Sequence, residues 1–234
     1  MRRATVLIIL VGCMLAGCSQ VIQPADVAKR GELSAVIVSK GPAIDGTLND
    51  SIWQACPALE LGECQSDEIG ELKSTARVLF DAKNLYIAVE CVEKDSSTLK
   101  TDVTGRDADL WGNDHVDVFI RTQGSEESRH FIVACNGDLF DAKGTDRDDS
   151  DTTWDSSAVA KVTVNKDKNW IVTMSVSLAE LGAKPGQNQT WLLNLNRTRP
   201  MGGDQWVESS WSAKGSSDYH DYECWGKITR VNIP

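Results

Sequence analysis

Basic residues are in deficit: the 234-residue chain has 24 Lys and Arg against 34 Asp and Glu, a formal charge of −10. Such a chain repels phosphate backbones, which excludes a general nucleic-acid binder and a protein that adheres to anionic lipid by charge. Beyond its N-terminal stretch it lacks any apolar run long enough to span a bilayer, so a multi-span membrane protein is excluded. There are three His and no C-x-x-C, which leaves a structural zinc site or a c-type haem attachment without support. G-x-S-x-G, H-E-x-x-H and the phosphate-binding glycine loop are absent. Tyr and Phe are scarce, at three and four, whereas Trp is abundant at eight. The remainder, 41% hydrophobic and 25% charged, is ordinary for a soluble domain able to bury a core.

The N-terminus reads as a targeting segment. Arg2 and Arg3 precede the apolar run Val6 to Val11, and Leu15-Ala16-Gly17-Cys18 follows. This resembles the lipobox of bacterial lipoproteins, which implies cleavage of residues 1–17 and lipidation of Cys18; the alternative is a secretory signal cut near Ala16. Either reading sends the protein out of the cytoplasm. Ser19 after the lipidated cysteine implies the outer membrane if the cell has one. Residues 18–33 then form a polar tether. Five cysteines remain, an odd number: Cys56 and Cys64 are close enough in sequence to close a loop, while Cys91 and Cys135 sit in apolar runs as small core residues. Cys224 is the fifth.

From residue 34 to 234 short β-type runs alternate with turn signals, the rhythm of an all-β sandwich of immunoglobulin or jelly-roll type. The expected strands are 34–38, 75–81, 85–92, 116–121, 130–135, 158–164, 170–176, 191–196, 207–211 and 226–231. Helical period is confined to brief turns at 50–55 and 178–181, and 141–155 reads as a surface loop. Among the tryptophans, Trp170 and Trp191 lie on strands and Trp53 and Trp225 beside apolar runs, so these four are expected in the core. Trp111 differs, for it sits in the polar segment Asp107-Ala108-Asp109-Leu110-Trp111-Gly112-Asn113-Asp114, where an indole can stack on the apolar face of a sugar while neighbours bond its hydroxyls.

Five ordered segments carry a resemblance over almost the whole domain. Asp45-Gly46 with Asp50 and Trp53, the hairpin of Ala76 to Asp81 with Asn84 to Val89, Leu110-Trp111 running into Asp117-Val118-Phe119, Trp191 to Asn196 with Ser210-Trp211, and the closing His220-Asp221 with Trp225-Gly226 are similar to family 9 carbohydrate-binding modules and their relatives in the DOMON-like superfamily. The resemblance implies a sugar clamped between two rings, Trp111 and Tyr219, with Asp117 and Asn196 bonding its hydroxyls. Ile132 stands where a basic residue contacts sugar in the best-known members. Structural calcium is a further implication, and Asp146 to Asp151 offers alternate oxygen ligands without the glycine and distal Glu of an EF-hand loop. A glycosidase dyad is disfavoured, because Asp114 and Asp117 are three apart and, if both lie on the strand, face opposite ways. The competing readings are a haem-binding electron-transfer relative using His115, His130 or His220 with Met174 or Met201, and a lipoprotein that binds another protein. The leading expectation is a non-catalytic, lipid-anchored module for an oligosaccharide or polysaccharide chain end, with a glycoside hydrolase as possible partner.

Overall fold

The computed structural model describes residues 31–64, 73–145, 149–203, 205–212 and 218–233. The expected signal peptide, Cys18, most of the tether and Asp146 to Asp148 lie outside these. The first strand, β1 (Glu32–Ser34), pairs in parallel with β13 (Gly226–Asn232), so the folded unit takes up residues assigned to the tether. Helix α1 (Ser51–Ala55) follows the Asp45-Gly46 turn and is capped by Asp50, whose carboxylate accepts from the Ile52 amide at 3.0 Å. Such a side-chain acceptor satisfies one of the first-turn amides that have no partner within the helix. Gly46 adopts φ +77°, and a Cβ there would stand 2.7 Å from the Thr163 hydroxyl oxygen. The turn therefore requires glycine for its close approach as well as for its backbone.

The remaining strands are β2 (Leu59–Glu63), β3 (Ser74–Phe80), β4 (Asn84–Val92), β5 (His115–Arg121), β6 (Ser128–Ala134), β7 (Leu139–Gly144), β8 (Ser150–Asp151), β9 (Val159–Asn165), β10 (Asn169–Ser177), β11 (Asn188–Gly202) and β12 (Gln205–Ser210). One continuous path, β8-β7-β6-β5-β11-β12-β2-β3-β4-β10-β9, folds over to make two layers, with β13 also paired to β11. All pairings but β1 with β13 are antiparallel among the named strands. Alternation along each strand sends one set of side chains to the core: Val116, Val118 and Ile120 of β5, Phe131 and Val133 of β6, and Leu193 and Leu195 of β11 meet Val78, Ile87, Trp170 and Val172 of the other layer. Trp53, Trp170 and Trp191 are fully buried, and Trp225 nearly so.

Two sequence expectations are corrected by the tertiary structure. β2 is a strand where none was expected, and the end of β7 and β8 occupy part of the expected 141–155 loop; β2 has a short, glycine-containing sequence and is held between β12 and β3. Residues 178–181 make a brief turn, as expected. Cys56 packs with Trp53 and Leu79, whereas Cys64 belongs to the cluster of Phe119 and Tyr219 on the opposite side of the molecule, so the two do not pair. Cys91 and Cys135 are core thiols, as expected, and burial pushes them up to about 11 and about 12.

Candidate functional site

The outward set of side chains on the β7-β6-β5-β11-β12 layer is built by register. Phe140, Ile132, Asp117, Asn196 and Ser210 are successive partners and form one row across five strands. A second row joins Ala134, His115, Thr198 and Glu208, and a third joins Ala142, His130, Phe119 and Asn194. Polar groups thus occupy the centre of a face whose reverse side is the hydrophobic core.

Asp117 is the electrostatic hub of that face. His130 Nε2 donates to one carboxylate oxygen at 2.8 Å, and His115 Nε2 lies 3.1 Å from the other. His115 Nδ1 is 2.8 Å from the Asn113 carbonyl, which can only accept, so Nδ1 carries a proton. Contact of Nε2 with a carboxylate is favourable only if it is protonated too, and His115 is therefore held as imidazolium. Burial works against both charges, yet the attraction of His115 and the hydrogen bond from His130 hold Asp117 well below the usual carboxylate range; Asp117 in turn raises His115. Burial and the Asp117 charge push neighbouring Glu208 up. Asp114 points to the other side of β5, where its carboxylate accepts from the Lys100 amide at 2.9 Å beside the inner Arg197 and Arg199. The two carboxylates do not share a site, in keeping with their odd spacing.

Asn196 is fully buried and neither polar atom of its amide has a hydrogen-bond partner. Unpaired buried amides are rare, because each costs about 1–3 kcal/mol. Next to it Asn194 accepts from Ser210 and Ser212, each at 2.7 Å.

Trp111 lies in a 3₁₀ turn, Leu110–Gly112, ahead of β5. Leu110 packs down on Ile132, Ala134 and Phe140, so the turn anchors itself on the sheet and Ile132 becomes floor beneath Leu110. The indole is left 53% exposed, with one edge-on contact to Phe140 at 6.1 Å between centroids. From Phe140 an aromatic series continues through His130, 5.8 Å away, to Phe119, on which His130 stacks at 4.0 Å; His220 meets both edge-on.

Tyr219, the expected second ring, is largely covered by its neighbours. It is 8% exposed, packed with Cys64, Phe119 and Trp225. The Trp225 indole N–H donates to the Tyr219 carbonyl at 2.8 Å, and the Cys64 thiol donates to its hydroxyl at 3.7 Å, drawing the segment down over Phe119. His115 and His130 were expected only as candidate haem ligands, and Glu208 was not expected in the site at all. Their signal was the alternation that puts 115 and 117 on one face, but the partner of His130 follows only from register.

Other ligands fit less well. Asp107, Asp141 and Asp155 offer oxygens within 4.8 Å of one another, yet Arg106 occupies their midst, 2.6 Å from Asp141, 2.9 Å from Asp155 and 3.4 Å from Asp107. A guanidinium already supplies the positive charge there, so the group does not suit calcium. For haem, His115 and His130 both face Asp117 through Nε2, and Met174 is enclosed in the core. A cavity of about 600 Å³ opens between the layers beside Leu61, Thr98 and Met201, away from the outer face. Its Arg199 is gripped by both oxygens of Glu93, at 2.9 and 3.0 Å, and by Thr98, so this guanidinium is already engaged within the protein.

The fold is thus a two-layer β-sandwich that carries an aromatic and polar outer face. Residues 44–232 match the family described as carbohydrate family 9 binding domain-like, and the chain belongs to that family. Solved structures share the fold at low identity. A candidate carbohydrate-binding protein of Bacteroides uniformis ATCC 8492 is 15% identical with a TM-score of 0.69, covering 85% of this chain and 98% of its own. A family 9 module of Caldicellulosiruptor kristjanssonii in complex with cellotriose is 16% identical at a TM-score of 0.62 and covers 86% and 93%. The same organism's module in complex with glucose is 16% identical at 0.61, covering 88% and 97%. No curated protein matches the chain.

Proposed function

We propose that this chain binds carbohydrate without reacting it, stacking a sugar on Trp111 and bonding its hydroxyls through the polar rows centred on Asp117 and Asn196. The observation that carries this reading is a half-exposed indole beside a row that contains a buried, unpartnered amide. An exposed ring and an unpaired donor and acceptor are what a ligand with apolar C–H faces and many hydroxyls satisfies together. Asp117 is already committed to two imidazoles, so it acts by fixing His115 and His130, while His130, His220 and the partly exposed Glu208 offer hydrogen bonds nearer the surface. Tyr219 serves as the packed wall at the Phe119 end. The bound cellotriose and glucose of the structural neighbours support a saccharide as the ligand class.

The Leu15-Ala16-Gly17-Cys18 motif further supports a lipid anchor at Cys18, which would hold the module outside the cytoplasm and near a glycoside hydrolase that works on the same chain. Incorporation of labelled palmitate, lost in Cys18→Ser, checks the anchor. For binding, the full chain in detergent is applied to a glycan array beside Trp111→Ala. We expect a sugar signal that disappears in the variant while its thermal midpoint moves by no more than about 2 °C, since a half-exposed side chain away from the core contributes little to stability. Equal binding by both proteins, or a large fall in the midpoint, refutes the role of Trp111.

A further inference from the structure

We infer that Trp206 is a second stacking platform on the same face, so that the module binds an extended oligosaccharide across its strands in addition to the terminal sugar on Trp111. This deepens the proposed function and rests on it.

Of the eight tryptophans, two, Trp111 and Trp206, are more than half exposed, and Trp206 is 51% exposed. Its side chain falls on the ligand face by alternation. Ser210, which donates to Asn194, and Glu208, which senses the Asp117 charge, lie on that face, and Trp206 is two residues before Glu208 on β12. Its partner on β11 is Pro200, two residues beyond Thr198 in the His115 row. Trp206 therefore stands on the far flank of the polar rows from Trp111, which rests on Phe140 of β7.

The separation decides what the two rings can do. Between β7 and β12 there are four strand spacings, about 19 Å in all. Clamping one sugar ring needs two van der Waals contacts back to back, roughly 7–8 Å between the indoles. Trp111 is displaced from Phe140 by only 6.1 Å, too little to close that gap. Each indole must then take a different unit of one chain, with Glu208 and the Asn196 row serving hydroxyls between them. A half-exposed indole on a strand next to hydrogen-bonding groups offers a stacking surface with polar partners beside it, the combination a sugar unit satisfies.

Titration calorimetry of the full chain in detergent with ladders of β-1,4-linked gluco-, manno- and xylo-oligosaccharides, from one to six units, tests this. Affinity is expected to rise with length, and Trp206→Ala to lose roughly three- to tenfold for the hexamer while changing the monomer and dimer by less than twofold. Trp206→Phe should retain most of the hexamer affinity, and Trp111→Ala should weaken every length. Thermal midpoints of the Trp206 variants report whether the fold is intact. Length-independent binding, or a Trp206→Ala variant that matches the wild type or weakens all lengths alike, overturns the inference and leaves the carbohydrate reading standing. Failure of every ladder to bind the wild type overturns both.

Discussion

Replacing Asp117 by Asn tests the electrostatic hub, because the amide keeps the shape and one acceptor oxygen but removes the charge. Breaking one partner of a buried ion pair costs about 3–5 kcal/mol, and the retained carbonyl recovers roughly one neutral hydrogen bond of about 1 kcal/mol, so we expect a loss of about 2–4 kcal/mol near pH 6. The pH dependence has a definite sign. His115 has its affinity for a proton raised by Asp117, so the folded state holds a proton that the unfolded chain releases around the ordinary value of 6.5. That contribution is fully present below 6.5 and fades as pH rises through the folded-state value. Asp117 is depressed, so its contribution is present above 3.8 and fades as pH falls toward the folded-state value. Wild-type stability should therefore decline between pH 6 and 8 through this pair, and Asp117→Asn should lose that decline. Urea unfolding followed by tryptophan fluorescence at pH 6 and 8 measures both, since Trp53, Trp170, Trp191 and Trp211 are all buried. Parallel pH profiles for the two proteins would refute the imidazolium assignment.

Three further outcomes are expected. Asn196→Leu removes an amide with no partner, so stability should hold or rise by about 1 kcal/mol while sugar affinity falls; a destabilised variant with normal affinity contradicts the ligand role. Tyr219→Ala deletes a packed ring and should cost about 3 kcal/mol in urea unfolding, and an unchanged midpoint with lost sugar binding would restore it as an exposed clamp. Arg106→Gln leaves the Asp107, Asp141 and Asp155 carboxylates facing one another. About 1–2 kcal/mol should be lost at pH 7, discounted for the partial exposure of Arg106, with the deficit shrinking as acid protonates the carboxylates; a pH-independent deficit would show that the guanidinium acts by packing.

Much of this protein is local in origin and so was readable along the chain. Alternation marks most strands, because side chains on a pleated backbone switch faces at every residue, and the burial of Trp170 and Trp191 follows from their places in such runs. The isolation of Trp111 in a polar turn is likewise local. Its neighbours, and those of Asp117, are not: His130 reaches Asp117 from thirteen positions away, through the β5–β6 register. Nothing in the residues near Tyr219 foretold that Trp225 and Cys64 would draw it down, nor in those near Trp206 that its ring would stay outside. A strand's own sequence decides that two faces exist, and with it the sandwich and the exposed indole of Trp111. Which side chains share a face at hydrogen-bonding distance is decided by pairing between strands far apart in the chain, where a shift of one residue would exchange the polar face for the core.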